Sequence, residues 1–360
     1  MKDFISKKNK KKWQKNILSW YLLNKRSLPW REEKNQDFYS IWISEIMLQQ
    51  TQVKTVIPYF LRFKKRWPDL GSFSTASLSD ILEIWLGLGY YRRVKNIHET
   101  AKILKYNEFK SYDEIINLPG IGSYTAAAIS AILYKGTNAV VDGNIKRILS
   151  RAFNIDLFRK KNKNTINRIA QELTPANNKD YCQALMDLGS LICKPKKPKC
   201  QVCPVTSCCE FFKFSKNQEI ILNKNKNRNK KVKKVGITFY IQSKSKVFVQ
   251  ISESNFLYGL SKFPLSNLVV VKKSSDEDII FSVLKKQWTA KNKIKARPDD
   301  LGFVKHNFTG FNLKLYIVKI NLYNKSEINL DGIWCDSKQL SKNSFSKLMQ
   351  KVKQVVAIYE

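Results

Sequence analysis

Four cysteines carry the most specific chemistry in this 360-residue chain. Cys193, Cys200, Cys203 and Cys209 follow the pattern C-x6-C-x2-C-x5-C. Four thiolates drawn from so short a stretch can hold a cubane iron–sulfur cluster. A structural zinc is the competing occupant, since zinc also takes four thiolates, but zinc ribbons more often use two C-x2-C pairs, and here Cys200 and Cys203 form one such pair. Cys208 falls outside the spacing and is read as a neighbour, not a ligand. The total of seven cysteines is odd, which argues against a disulfide framework and for a reducing compartment.

Two further sets of residues lie upstream. Leu118-Pro119-Gly120-Ile121-Gly122 places two glycines around one apolar residue, before a segment of helical pattern. Such a hairpin lets backbone N–H groups of the following helix face a phosphate without obstruction from side chains. An ordinary tight turn is the simpler reading of the same residues. Asp142 follows in Val140-Val141-Asp142-Gly143-Asn144, where an apolar pair draws the carboxylate toward the interior. Asp142 is equally placed to cap a helix over 145–151, and the two roles are compatible. Glu45 sits in Trp42-Ile43-Ser44-Glu45-Ile46-Met47-Leu48-Gln49-Gln50-Thr51-Gln52-Val53, a carboxylate on an otherwise apolar segment.

These motifs together resemble the helix–hairpin–helix DNA glycosylases of the endonuclease III superfamily, over about residues 15–212. The run from Trp42 to Val53 is similar to that of the MutY-type adenine DNA glycosylases. Tyr124 stands where the lyase members carry a Schiff-base lysine, and a phenol cannot form an imine. The resemblance implies hydrolysis of the N-glycosidic bond of adenine mispaired with 8-oxoguanine or guanine in double-stranded DNA. Glu45 would be general acid and then general base, and Asp142 would stabilise an oxocarbenium-like sugar. Tyr124 and Asn144 would support that carboxylate. Trp30, Arg31, Leu48 and Gln183 would line the adenine pocket. The base must be flipped out of the duplex to be reached. Gln49, Gln50 and Tyr90 match the positions that enter the stack, Tyr90 within Gly87-Leu88-Gly89-Tyr90-Tyr91-Arg92-Arg93. Gly120 and Gly122 would bind DNA phosphate, and the four cysteines a [4Fe-4S] cluster. A pyrimidine-lesion glycosylase/lyase and a decayed, non-catalytic DNA-binding relative are the rival readings; Tyr124 opposes the first, and the intact Glu45 and Asp142 oppose the second.

The elements that must position these residues are expected to form an all-α glycosylase core over residues 1–214. It would comprise a six-helix module over about 25–134, and an iron–sulfur module made by the N-terminal segment with 135–214. One helix is expected over 39–63, bent or divided at Pro58, with others over 79–86 and 94–104 and a buried one over 125–134. The Lys/Asn-rich residues 215–234 read as a solvated linker. Beyond it, alternating β-branched segments at 236–242, 246–252 and 313–320 and helical patterns at 275–288 and 344–356 indicate an α+β domain over 235–360. In the family this half is a nudix-like domain that reads 8-oxoguanine. Its motifs are altered here: Phe256-Leu257-Tyr258-Gly259-Leu260-Ser261-Lys262-Phe263-Pro264 is a weakened relative of the family's run, and no glutamate-rich nudix box follows. Phe308-Thr309-Gly310 stands where the family has Phe-Ser-His, so Thr309 keeps a hydroxyl for the lesion and Gly310 removes an imidazole.

The charge agrees with a polyanionic partner. There are 65 Lys and Arg against 29 Asp and Glu, a net charge of +36. The joint abundance of Lys, Asn and Ile points to codon bias in an AT-rich genome as a second source of that excess. No apolar run reaches the ~18–20 residues of a membrane span. The expectation is a monomeric cytoplasmic protein, associated with the nucleoid through DNA.

Overall fold

The computed structural model describes residues 5–156, 162–215, 231–253, 257–271, 276–308 and 310–359. Thr309, Phe256 and most of the expected linker lie outside them. The chain divides into two compact units, residues 1–76 with 95–223 and residues 77–94 with 224–360. Residues 77–94, expected in the helical core, thus group with the C-terminal half. Close packing is the reason: a Cβ on Gly259 would come within 2.6 Å of Leu82 Cδ1.

The helices run in the order α1 (Lys7–Asn24), α2 (Phe38–Leu48), α3 (Val53–Arg66), α4 (Leu70–Ser74), α5 (Leu78–Trp85), α6 (Arg92–Leu104), α7 (Tyr112–Ile115), α8 (Ser123–Leu133), α9 (Gly143–Ala152), α10 (Asn162–Leu173), α11 (Lys179–Leu191) and α12 (Glu210–Ser215). The single helix expected over 39–63 is two. Its break lies at Gln49–Gln52 and not at Pro58, which sits inside α3. Gln50 takes φ 56°, a left-handed conformation that ends the α2 ladder, and Gln52 re-enters as the extended cap of α3. Most of α2 is buried, from Tyr39 to Met47, because apolar residues occur all round it. Asp37 caps it by accepting from Ser40 N at 2.8 Å. Helix α8 is also largely buried, and its Ala126, Ala127, Ala128 and Ala131 permit close approach by neighbouring helices. Trp13 of α1 donates to the Tyr181 hydroxyl of α11 at 2.9 Å, tying the first helix to the end of the core.

In the second unit the strands are β1 (Val232–Ser243), β2 (Lys246–Ile251), β3 (Ser261–Lys262), β4 (Val269–Val270), β5 (Pro298–Asn307), β6 (Phe311–Leu322) and β7 (Ile333–Cys335), with α13 (Glu277–Lys291), α14 (Ser337–Lys342) and α15 (Lys347–Val356). Strand β1 begins inside the segment read as linker. The sheet order is β3-β2-β1-β6-β5, with β1 and β6 parallel and the other neighbours antiparallel. One core cluster joins the sheet to Leu348, Met349 and Val352 of α15. A second joins it to α13, where Trp288 stacks on Phe239 with centroids 3.7 Å apart. This unit is α+β, as expected. Among the described residues no helix is long and apolar enough to cross a membrane.

Candidate active site

A cavity of about 360 Å³ in the first unit gathers most of the expected site. That volume lies within the ~300–1,000 Å³ usual for small-molecule sites. Glu45, Tyr124, Asp142 and Asn144 line it, together with Trp30, Arg31, Leu48, Gln49, Gln50 and Gln183. Five separate stretches of sequence therefore converge: the turn around Pro29–Arg31, α2 with its broken end, the start of α8, the start of α9, and α11.

Glu45 is 5% exposed, and its Oε2 makes no hydrogen bond among the described residues. Burial pushes its carboxyl up from 4.5 to about 7; the Asp142 charge adds to the rise, and Tyr124 and Arg31 temper it. The Tyr124 hydroxyl is held by Met186 Sδ at 3.9 Å. Burial beside Glu45 and Asp142 raises this phenol well above its ordinary range, so it stays a protonated donor.

Asp142 caps α9, as its sequence context allowed, and also lines the cavity. It is the N-cap of α9, accepting from Ile145 N at 2.7 Å, and it also accepts from Asn144 Nδ2 at 3.0 Å. Burial raises its carboxyl, while the Ile145 and Asn144 donors pull it back. Asn144 is itself fixed: its Oδ1 accepts from Arg147 Nη2 at 2.9 Å, and Arg147 Nε donates to Cys193 O at 2.8 Å. A hydrogen-bonded path thus runs from the cysteine loop to the buried carboxylate. Helix α11 comes close because position 189 is glycine; a Cβ there would lie 2.7 Å from Asn144 Cβ.

The site also contains Asp187 and Arg26, which no motif in the sequence marked. Asp187 on α11 is fully buried and holds Arg31 through contacts of 2.8 and 2.9 Å, and Arg26 at 2.6 Å. The two guanidiniums hold its carboxyl below the usual range against the cost of burial. The signal that exposed Glu45, a carboxylate among apolar neighbours, is present around Asp187 between Leu185 and Leu188, and could have found it. Trp30 is buried with its ring edge-on to Phe60 at 5.5 Å. Gln49 Nε2 reaches Thr125 Oγ1 at 3.5 Å.

Gly120 and Gly122 form the expected hairpin between α7 and α8. Gly120 has φ +74°, and a Cβ there would strike the Asn96 side chain at 2.5 Å. Thr100 Oγ1 braces the turn by donating to Pro119 O at 2.9 Å. Gly122 is the N-cap of α8, with nothing within 4 Å of an added Cβ. The first-turn N–H groups of α8 have no intrahelical carbonyl to pair with. Tyr90 does not line the cavity; it is 40% exposed, has φ 51°, and lies 5.5 Å from the Arg93 guanidinium.

Cys193, Cys200, Cys203 and Cys209 line a common apolar pocket with Ile148, Leu188 and Phe212. Cys208 does not line it. Arg151 holds the loop by donating to Lys194 O at 2.7 Å, Pro195 O at 2.9 Å and Cys193 Sγ at 3.3 Å. Burial pushes the Cys203 thiol up to about 12, so thiolates here need a cationic partner. No group of three His, Cys, Asp or Glu side chains among the described residues has the geometry for a single metal ion. The convergence of four cysteines on one pocket fits a four-thiolate cluster.

Residues 43–176 match the family model described as HhH-GPD superfamily base excision DNA repair protein. The chain is 35% identical over 356 residues to the adenine DNA glycosylase of Buchnera aphidicola from Schizaphis graminum, covering 94% of this chain and 97% of that one. It is 45% identical over 216 residues to the enzyme of the same name from the Baizongia pistaciae strain, where the match spans 58% of this chain and 61% of the relative. The human adenine DNA glycosylase is 37% identical over 220 residues, 57% of this chain and 40% of its own length. Among solved structures, a thermostable thymine-DNA glycosylase superposes with TM-score 0.52 and 26% identity, covering 57% of this chain and 98% of that one. An endonuclease III–DNA complex, 16% identical, shares the fold with TM-score 0.50 over 60% of this chain and all of its own. With 35% identity over nearly its full length to one such enzyme and the glycosylase core present, the chain belongs to the adenine DNA glycosylases of the HhH-GPD superfamily.

Proposed function

We propose that this chain removes adenine mispaired with 8-oxoguanine or guanine in double-stranded DNA, by hydrolysis and without a lyase step. The observation that carries the reading is the cavity that gathers the buried Glu45 with Asp142 and Tyr124; burial pushes the Glu45 carboxyl up to about 7. Two carboxyls whose surroundings separate their protonation can divide acid and charge-stabilising work. Glu45, without donors on Oε2, holds its proton and passes it to N7 of the flipped adenine as the C1′–N9 bond breaks. Asp142, kept by two N–H donors, stays ionised and faces the cationic sugar. Glu45 then takes a proton from the attacking water. Tyr124 and Asn144 hold this pair in place. Trp30, Arg31, Leu48 and Gln183 would form the base pocket, while Gln49, Gln50 and Tyr90 would enter the stack. No lysine lines the cavity among the described residues, which supports hydrolysis over imine chemistry.

Gly120 and Gly122 would receive a DNA phosphate at the start of α8. Cys193, Cys200, Cys203 and Cys209 would hold a [4Fe-4S] cluster, which supplies a fourfold crosslink of the loop and a redox centre when bound. The C-terminal unit would read the opposite 8-oxoguanine, with Thr309 as one contact. The protein would act as a monomer in the cytoplasm.

The test is single-turnover excision from an 8-oxoguanine:adenine duplex, read by alkali cleavage. Wild type should cut, and Glu45→Gln should lose at least about 10²-fold in rate. An intact strand with wild-type protein would defeat the proposal. Borohydride trapping should give no adduct that depends on a lysine.

A further inference from the structure

A second cavity, of about 480 Å³, lies against the first. The two share Arg26, Leu28, Arg31 and Gln183, which therefore form the wall between them. Part of this wall is rigid. Asp187 holds the Arg26 and Arg31 guanidiniums at 2.6–2.9 Å. Gln183 is the freer panel, since its Nε2 is tethered to Lys179 O of its own helix at 3.2 Å, and a change of rotamer would swing it aside.

The far side of this cavity opens to solvent. Its floor is the buried Tyr21 ring, and its mouth carries the exposed Lys25, Ser27, Glu32, Glu33, Lys179 and Asp180. Three carboxylates stand there against two lysines, and Glu32 is further paired with Lys34 at 3.0 Å. On a chain of net charge +36, such a balanced mouth is a poor docking place for phosphates, so a bound duplex would leave it uncovered. It suits a small neutral ligand, with carboxylate acceptors for an exocyclic amine at its mouth.

We propose that this second cavity is the exit route for the excised base. The inference rests on the glycosylase reading above. Once the N-glycosidic bond is broken, the abasic strand still closes the entrance through which the nucleotide flipped. Neutral adenine would then pass the Gln183 panel and leave between Ser27, Glu33 and Asp180 before the DNA product dissociates.

Duplex carrying radiolabelled adenine tests this, with excision scored by alkali cleavage and base release by rapid spin filtration of the protein–DNA complex. Ser27→Trp and Lys179→Trp narrow the mouth without touching the first cavity. Excision should stay within about threefold of wild type, while loss of labelled adenine from the complex slows at least about tenfold. Wild-type release with intact excision in both variants overturns the proposal, and so does slowed excision with no retained base. If neither variant folds, wild-type protein bound to abasic product is photolabelled with 8-azidoadenine. Label on peptides containing Tyr21 or Lys179–Asp180 supports the route; label confined to peptides of Glu45 and Tyr124 defeats it. Failure of wild type to excise at all would instead sink the glycosylase reading, so the two failures are distinct.

Discussion

Glu45 shows how a proposed general acid and a stability cost coincide in one residue. In the unfolded chain its carboxyl titrates near 4.5, and in the folded cavity near 7. Below pH 4.5 both states are protonated and burial is without charge penalty. Between 4.5 and 7 the unfolded state has released its proton and the folded state has not, so stability falls as pH rises. Above 7 the full penalty applies, about 3 kcal/mol at about 1.36 kcal/mol per pH unit. Replacing Glu45 with Gln should therefore inactivate the protein yet stabilise it by about 3 kcal/mol more at pH 8 than at pH 4. Denaturant titrations at the two pH values check this; an equal effect at both would show that burial does not perturb the group. In the proposed mechanism the acid form is also the one that donates to adenine, so the excision rate should decline as pH climbs through about 7.

At the scale of elements, the glycine hairpin separates structural need from function. Gly120→Ala forces a side chain into φ +74° and against Asn96, and should cost about 1–3 kcal/mol. Gly122 has an ordinary extended backbone and open space beside it, so Gly122→Ala should cost at most about 1 kcal/mol, as a weaker cap. If the start of α8 receives a phosphate, Gly122→Ala should nonetheless weaken duplex binding several-fold while the melting temperature barely moves. Unchanged affinity would assign the hairpin to turn geometry alone. Such pairs also explain what the sequence could reveal. Glu45, Asp142 and the four cysteines were legible because each is a chemical type out of place in its surroundings. The break between α2 and α3 was not, because Gln50 adopts a left-handed backbone without the usual glycine, while Pro58, the obvious breaker, is absorbed by α3. Strand β5 was missed for a related reason. It is largely exposed, carries Asp299, Asp300 and Gly302, and is bulged between Asp300 and Gly302, so it lacks the apolar alternation that marked β1 and β6.

For the whole molecule the question is whether the +36 charge is a DNA footprint or compositional drift. Drift would scatter lysine without regard to local cost. Helix α1 instead carries six lysines, three of them (Lys7, Lys8 and Lys10) in a first turn with no acid, where the helix dipole and mutual repulsion both oppose them. Its apolar face, Trp13, Ile17 and Tyr21, is buried and offsets that cost, leaving Lys7, Lys8, Lys11 and Lys12 exposed. A surface that neutralises phosphates releases counterions, and the number released sets the slope of log affinity against log salt. Some six to ten contacts would weaken binding about 10³–10⁵-fold between 50 and 200 mM salt. Because backbone charge carries no sequence information, the slope should be nearly the same for a lesion duplex and an undamaged one, with the lesion shifting only the intercept. Replacing Lys7, Lys8, Lys11 and Lys12 together by Gln should lower the slope for both duplexes and leave excision at saturating protein unchanged. A slope near zero in the wild type, or one untouched by the fourfold change, would mean that this charge is drift and that the duplex is held elsewhere.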